Sequence, residues 1–334
     1  WRGIDVGDFN NDGLIDFVAT NRGLNSSYVA NTAQPLVVYH GDFNQDGVWD
    51  FIETEYGENG QLYPRRHLST MATAMPWLTE RLQNYGQYSK TSLINLFAST
   101  FKTQMKRIEI RTLESTVFIQ NGGRFEPESL PIKAQFSSAF CPVVADFNND
   151  GSEDIFISQN EFTVHPEESR EDAGLGLLIL GDGKGSFRAL SISESGLVVP
   201  GEARGAATAD FDHDGRTDLL VAQNGSTPRL FKNQTKRKGL RVVLRGGEQN
   251  LEGVGATLRL KLGKDLGAKR IVRLGSGYLS QNAPTQVLGN NEQATGLIVA
   301  WPSDGKTEFF NLQSGQLEIV AIKGRGSAWP SARQ

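Results

Sequence analysis

The stretch Asp8-Phe9-Asn10-Asn11-Asp12-Gly13-Leu14-Ile15-Asp16 carries oxygen side chains at relative positions 1, 3, 5 and 9 and glycine at 6. The same spacing returns at residues 42–50, 146–154 and 210–218. Oxygen donors at this spacing suit a hard cation that takes six to eight ligands at flexible angles, which makes calcium the expected occupant. The side-chain ligands would be Asp8, Asn10, Asp12 and Asp16; Asp42, Asn44, Asp46 and Asp50; Asp146, Asn148, Asp150 and Asp154; Asp210, Asp212, Asp214 and Asp218. Position 7 (Leu14, Val48, Ser152, Arg216) would add a backbone carbonyl, and the glycine supplies the positive φ that turns the loop back on the ion. Asp, Asn and Gly are also ordinary turn formers, so one copy would mean little. Four copies, each with three or four carboxylates that repel one another without a cation, point to about four structural calcium ions. The fourth loop, with aspartate at all four positions, is expected to bind most tightly, with His213 pointing away from the ion.

Such loops need rigid flanks. Entering strands are expected at 4–6, 143–145 and 206–209, and leaving strands at 17–19, 155–157 and 219–221, giving a strand, loop, strand unit. Asp42, Asn44, Asp46, Gly47 and Glu53 also satisfy an EF-hand pattern, which demands helices on both sides. The runs Leu36-Val37-Val38-Tyr39 and Phe51-Ile52 are β-type instead, and the twelfth position is Ala19, Ile157 or Val221 in the other copies.

The chain has 334 residues, enough for one large or two ordinary domains, and its 37 glycines with short β runs describe a loop-rich β protein. A net charge of −4 conceals an asymmetry. Residues 236–323 hold 13 Lys/Arg against 7 Asp/Glu, a net +6, so the remainder carries −10. No apolar run approaches the roughly 18 residues needed to span a bilayer. A single cysteine excludes an internal disulfide framework, and Cys141, opening an apolar strand, reads as a small buried side chain. Without an initiator Met or signal peptide, and with Trp1 entering the first loop at once, the sequence reads as cut from a longer chain. Loops of this design fill where calcium is millimolar, so the expected location is extracellular, at the cell surface or periplasmic.

Loop starts at 8, 42, 146 and 210 leave gaps of 34, 104 and 64. A period of roughly 60 residues suits a four-stranded propeller blade. The middle gap therefore reads as a blade with an insertion, and the first as short by a hairpin. Over residues 61–101 the apolar spacing becomes helical: Leu68, Met71 and Met75, then Leu78, Leu82 and Tyr85, then Leu93, Ile94, Phe97 and Phe101. Pro76 is expected to start a second helix and Gly86 to end it. The insertion could be a lid, but its Met and aromatic stripe reads first as packing on the sheet. Hairpins follow at 117–125 and 177–187, the second glycine-rich but without phosphate-loop spacing. From 236 to 323 a small antiparallel β domain is expected, with a disordered tail at 324–334. The predicted architecture is all-β: calcium-loop blades of a partial β-propeller over 1–235, then the small domain.

The repeated loops and their flanks resemble FG-GAP or VCBS repeats, the blades of integrin-alpha-like propellers. Gly253-Val254-Gly255-Ala256, Gly275-Ser276-Gly277-Tyr278-Leu279-Ser280-Gln281-Asn282 with Pro284, and Val299-Ala300-Trp301-Pro302-Ser303-Asp304-Gly305 look like the ASPIC/UnbV domain. Blades paired with this domain are similar to the cartilage acidic protein family and its bacterial relatives. The resemblance implies secreted or cell-surface proteins, places calcium ligands on the sixteen loop side chains, and sets seven usual blades against four loops here.

These readings converge on a non-enzymatic extracellular recognition or adhesion scaffold, its ions structural, binding a protein or glycan partner. A glycan-active propeller hydrolase or lyase is the alternative from another class. Its support is thin: His40, His67, His165 and His213 are scattered, no G-x-S-x-G elbow occurs, and the clustered carboxylates are committed to the loops, leaving no catalytic residue to name. A second alternative is polyanion binding, to an acidic glycan or RNA, by residues 236–273, with 11 Lys/Arg against 3 Asp/Glu. The scarcity of aromatics there before Tyr278 disfavours nucleic acid, and docking on the acidic blades is the simpler use of that charge. Tyr278, Gln281, Asn282 and Trp301 could contact a sugar but read first as turn and core residues.

Overall fold

Short β-branched and aromatic runs bounded by Asp, Asn and Gly fold as strands on both sides of every loop. The computed structural model describes residues 1–82, 84–97, 105–302 and 305–329. The chain is mostly β, in several antiparallel sheets, and divides into two compact units, one of 1–25, 114–163 and 170–334, the other of 26–113 and 164–169.

In the first unit, Ile4–Gly7 and Asp16–Ala19 pair across loop one and are joined by Thr116–Asn121 and Arg124–Ser129. Loop three lies between Ala139–Ala145 and Asp154–Gln159, followed in the sheet by Leu177–Gly181 and Phe187–Ala189. Every residue of the first two is buried, which is why they read as continuous apolar runs. Loop four lies between Glu202–Ala209 and Asp218–Asn224, with Ser226–Phe231 beside them. Phe9, Val18, Val117, Val144, Ile155 and Ile179 form one core between the first two sheets; Val143, Phe147, Phe156, Leu219 and Val221 form the next.

Loop spacing misled on one point. The sheet of loop one is not completed by the residues that follow it but by 116–129, so loop two belongs to a unit inserted in sequence between its second and third strands. Spacing along the chain carries no information on which strands pair, so the first gap looked like a short blade.

The inserted unit has the sheet order Leu62–Pro64, Asp50–Tyr56, Leu36–Gly41, Lys106–Ile110. Four short helices, Leu68–Ala74, Trp77–Arg81, Tyr85–Tyr88 and Leu93–Leu96, bury Met71, Met75, Leu78, Tyr88 and Leu93 against Val37, Tyr39, Phe43 and Ile52. Most of the apolar stripe thus packs on the sheet, while Tyr85 and Ile94 stay exposed, and Pro76 caps the second helix. Gly86 ends nothing; it sits inside the third helix, which Asn84 starts by accepting from the Gln87 amide.

C-terminal to the three sheets, Leu240–Arg245, Thr257–Leu262, Gln286–Leu288, Ala294–Ala300, Thr307–Asn311 and Glu318–Ile322 enclose a core of Leu240, Val242, Leu258, Leu297, Val299 and Trp301. The pairing departs from the expected antiparallel pattern once: Leu240–Arg245 and Glu318–Ile322 run parallel. The tail is ordered as far as it is described, since Ser327–Ala328 pairs with Thr307–Asn311 and Trp329 stacks on Phe309. Phe101 of the predicted stripe, Ser303 and Asp304 of the predicted turn, and tail residues 330–334 lie outside the described residues. Among the described residues no helix is long and apolar enough to cross a membrane.

Candidate metal centres

The four loops share one hydrogen-bond skeleton, built from the side chains singled out by spacing. The position 6 glycine amide donates to the position 1 aspartate: Gly13 to Asp8 at 3.0 Å, Gly47 to Asp42 at 3.0 Å, Gly151 to Asp146 at 2.8 Å, Gly215 to Asp210 at 3.2 Å. The position 5 amide donates to the position 3 oxygen: Asp12 to Asn10, Asp46 to Asn44, Asp150 to Asn148, Asp214 to Asp212. The position 2 amide donates to the position 9 aspartate: Phe9 to Asp16, Phe43 to Asp50, Phe147 to Asp154, Phe211 to Asp218. Each carboxylate is thereby turned toward the loop's interior, with lone pairs left over for a cation.

Two features escaped the spacing argument. Position 4 also has positive φ: Asn11 at 60°, Gln45 at 62°, Asn149 at 54° and His213 at 61°. Three of these are Asn or His, the types that tolerate the left-handed region. The exposed His213 therefore turns the backbone. Second, position 9 also secures a neighbouring strand in loops one and three and the segment just after one in loop four: Asp16 accepts from the Gln120 amide at 2.7 Å, Asp154 from Gly181 at 3.0 Å, and Asp218 from Asn233, two residues past Ser226–Phe231, at 2.8 Å. At position 7, the Leu14, Val48 and Ser152 amides donate to Asp12, Asp46 and Asp150. Arg216 differs: its guanidinium pairs with Asp214 at 2.9 Å and bonds the Thr235 carbonyl at 2.6 Å.

Burial makes these carboxylates expensive to leave bare. Asp8, Asp16, Asp146 and Asp154 are fully buried, and Asp210 and Asp218 nearly so. Desolvation pushes Asp8 up to about 6 and Asp146 up to about 7, and raises Asp154 well above the carboxylate range with help from the Asp146 charge. Asp8 Oδ1 and Asp214 Oδ1 are buried with no hydrogen-bond partner. These are the properties expected of oxygens arranged for a cation. In the fourth loop, Asp210, Asp212 and Asp218 each bring a carboxylate oxygen within 4.8 Å of the others. That loop already meets protein cations, however: Lys232 bonds Asp212, Arg216 pairs with Asp214, and Arg241 stands 3.5 Å from Asp210. Its extra aspartate is balanced internally, so the expected order of affinity does not follow from charge count.

Within the first unit, the C-terminal segment sits on loops one, three and four. The Lys269 amide donates to Asp8 at 2.8 Å. Gly289 lies so close to loop three that a Cβ there would collide with the Asp146 carboxylate. The Gly239 amide donates to the Gly215 carbonyl at 2.8 Å, and Asn149 Nδ2 bonds the carbonyls of Gly215 and Arg237. Arg270 pairs with buried Glu153 at 2.7 Å and Arg273 with buried Asp5. Three of the eleven Lys/Arg of 236–273, Arg241, Arg270 and Arg273, pair with carboxylates of their own unit. Trp301 is core, its Nε1 donating to Glu308, and Asn282 accepts from the Thr208 amide. Tyr278 packs edge-on against Phe140, Gln281 is exposed, and Cys141 is fully buried, accepting from the Ala206 and Tyr278 amides.

Residues 246–325 match the family described as ASPIC and UnbV, so this β-rich chain carries an ASPIC/UnbV domain. It is related to the cartilage acidic proteins: 32% identical over 126 residues to cartilage acidic protein 1 of Xenopus tropicalis, covering 36% of this chain and 19% of that protein. Against cartilage acidic protein 1 of Homo sapiens it is 27% identical over 203 residues, covering 59% of this chain and 30% of that protein. The chain thus spans less than a third of the length of either relative.

Proposed function

We propose that this chain is a calcium-stabilised, non-enzymatic recognition scaffold that works outside the cell, its sheets being FG-GAP-type blades of a partial β-propeller that present a surface to a protein or glycan. The support for this reading is the common skeleton of the four loops, which gathers three or more carboxylates per loop, most of them buried in loops one, three and four, without enough side-chain cations to balance loops one to three. About four calcium ions would be held by positions 1, 3, 5 and 9, with carbonyls at position 7. Their task is structural: they neutralise carboxylates that fix the turn and, through position 9 of loops one and three, a neighbouring strand. Names drawn from cartilage for the relatives agree with an extracellular setting, as do loops of a design that fills at millimolar calcium.

Calorimetric titration of calcium into chelator-stripped protein, with thermal unfolding recorded alongside, tests the reading. Binding of about four ions with dissociation constants of roughly 10⁻⁴ to 10⁻³ M and a rising melting temperature is expected. Absence of binding heat and an unfolding curve indifferent to chelator would overturn it.

A further inference from the structure

Four of the chain's seven tyrosines, Tyr56, Tyr63, Tyr85 and Tyr88, line one open cavity of about 680 Å³ in the inserted unit. Two of the rings are held from behind. Tyr63 receives a hydrogen bond on its hydroxyl from Asn59 Nδ2 at 2.9 Å, and Gly57 lies against its ring where a Cβ would collide. Tyr88 is buried and donates to the Arg66 carbonyl at 2.7 Å. Tyr85 stands free on its short helix, 63% exposed.

The charges on the walls restrict the ligand. Arg65 and Arg66 reach Glu168 at 3.2 and 3.0 Å, and Arg66 also reaches Glu53 at 2.5 Å, so neither guanidinium is free to capture an anion. Glu58 is exposed and has no partner among the described residues, and exposed Glu55 touches only the edge of Arg65 at 3.5 Å. Those carboxylates repel an anionic ligand. Exposed ring area, an amide and two accessible carboxylates suit instead an uncharged molecule with apolar faces and many hydroxyls.

We propose that this groove binds a neutral saccharide, a pyranose ring lying against Tyr85 and Tyr63 and its hydroxyls donating to Glu55 and Glu58. The inference rests on the recognition reading above and names its ligand class. The test uses the full chain on an array of neutral oligosaccharides, uronic or sulfated glycans and lysine-rich peptides, followed by calorimetry with the best neutral oligosaccharide, in calcium and in chelator. Neutral glycans should be retained. Tyr85→Ala should weaken them roughly tenfold and Glu58→Gln several-fold, with melting temperatures unchanged because both side chains are exposed. Retention of no neutral glycan, retention of only charged ligands, or full affinity in Tyr85→Ala would overturn the assignment. Saccharide binding by protein that takes up no calcium would sink the metal scaffold alone; calcium uptake without neutral-glycan binding would sink the groove alone.

Discussion

On the proposed reading, Asp154 serves ion and fold together. Its two oxygens accept from the Phe147 and Gly181 amides, tying loop three to its own start and to the neighbouring strand, while burial and the Asp146 charge oppose its ionisation. Asp154→Asn keeps the shape but replaces one acceptor by a donor facing a backbone N–H. It is expected to cost about 1–3 kcal/mol and to remove one ion from the calcium stoichiometry, read by urea unfolding with and without calcium. Glu202 gives a pH prediction. Burial works against its charge but is outweighed by the Phe162 amide, the Asn224 amide group and Arg204, which hold its carboxyl below the usual glutamate range. A folded value below the unfolded one stabilises the fold above the ordinary glutamate range, and that contribution disappears as pH falls through the depressed value. Glu202→Gln should therefore lower the urea midpoint at neutral pH and converge with the parent in acid. Positions 1, 3, 5 and 9 were legible because spacing alone selects them. The left-handed position 4 was masked by residues as different as Gln45 and His213, and the amide partner of Asp16 lies 104 residues away at Gln120.

Among the elements, the helices of the inserted unit depend most on their surroundings. The longest, Leu68–Ala74, has seven residues and lacks a side-chain cap, so none would persist alone in water. Their stability comes from Met75, Leu78, Leu93 and Leu96 packed on Val37 and Ile52. Met75→Ala should cost about 2–5 kcal/mol, and hydrogen exchange should show the four helices losing protection together. Their apolar period was readable, as was the proline start at Pro76. Gly86 was misread because a glycine after a periodic run looks like a terminus, whereas Asn84 had already begun the next helix. The Tyr56, Tyr63, Tyr85 groove was invisible to motif reading. Its only signal was a concentration of tyrosine between residues 56 and 88, and only the fold shows the rings meeting around one space.

At the scale of the whole molecule, the opposite charges of the C-terminal segment and the rest of the chain have a physical use. Arg270 and Arg273 meet Glu153 and Asp5, and backbone groups of residues 239, 269 and 289 close over loops one, three and four. The asymmetry was plain in the composition; which carboxylates it would meet was not, since those pairs are separated by more than 100 residues in sequence. Chelation is expected to speed hydrogen exchange at the Gly239 and Lys269 amides before the core of the C-terminal domain loosens. Gly289→Ala, forcing a methyl group onto Asp146, should cost about 1–3 kcal/mol and weaken the third calcium site.

Native mass spectrometry of chelator-stripped protein titrated with calcium counts the ions directly. Increments up to four calcium masses are expected, the last at the highest concentration because Lys232, Arg216 and Arg241 already occupy loop four, and a ceiling of three in Asp154→Asn. A protein that stays at its apo mass through millimolar calcium would contradict the calcium reading, and would reduce the four loops to hydrogen-bonded turns.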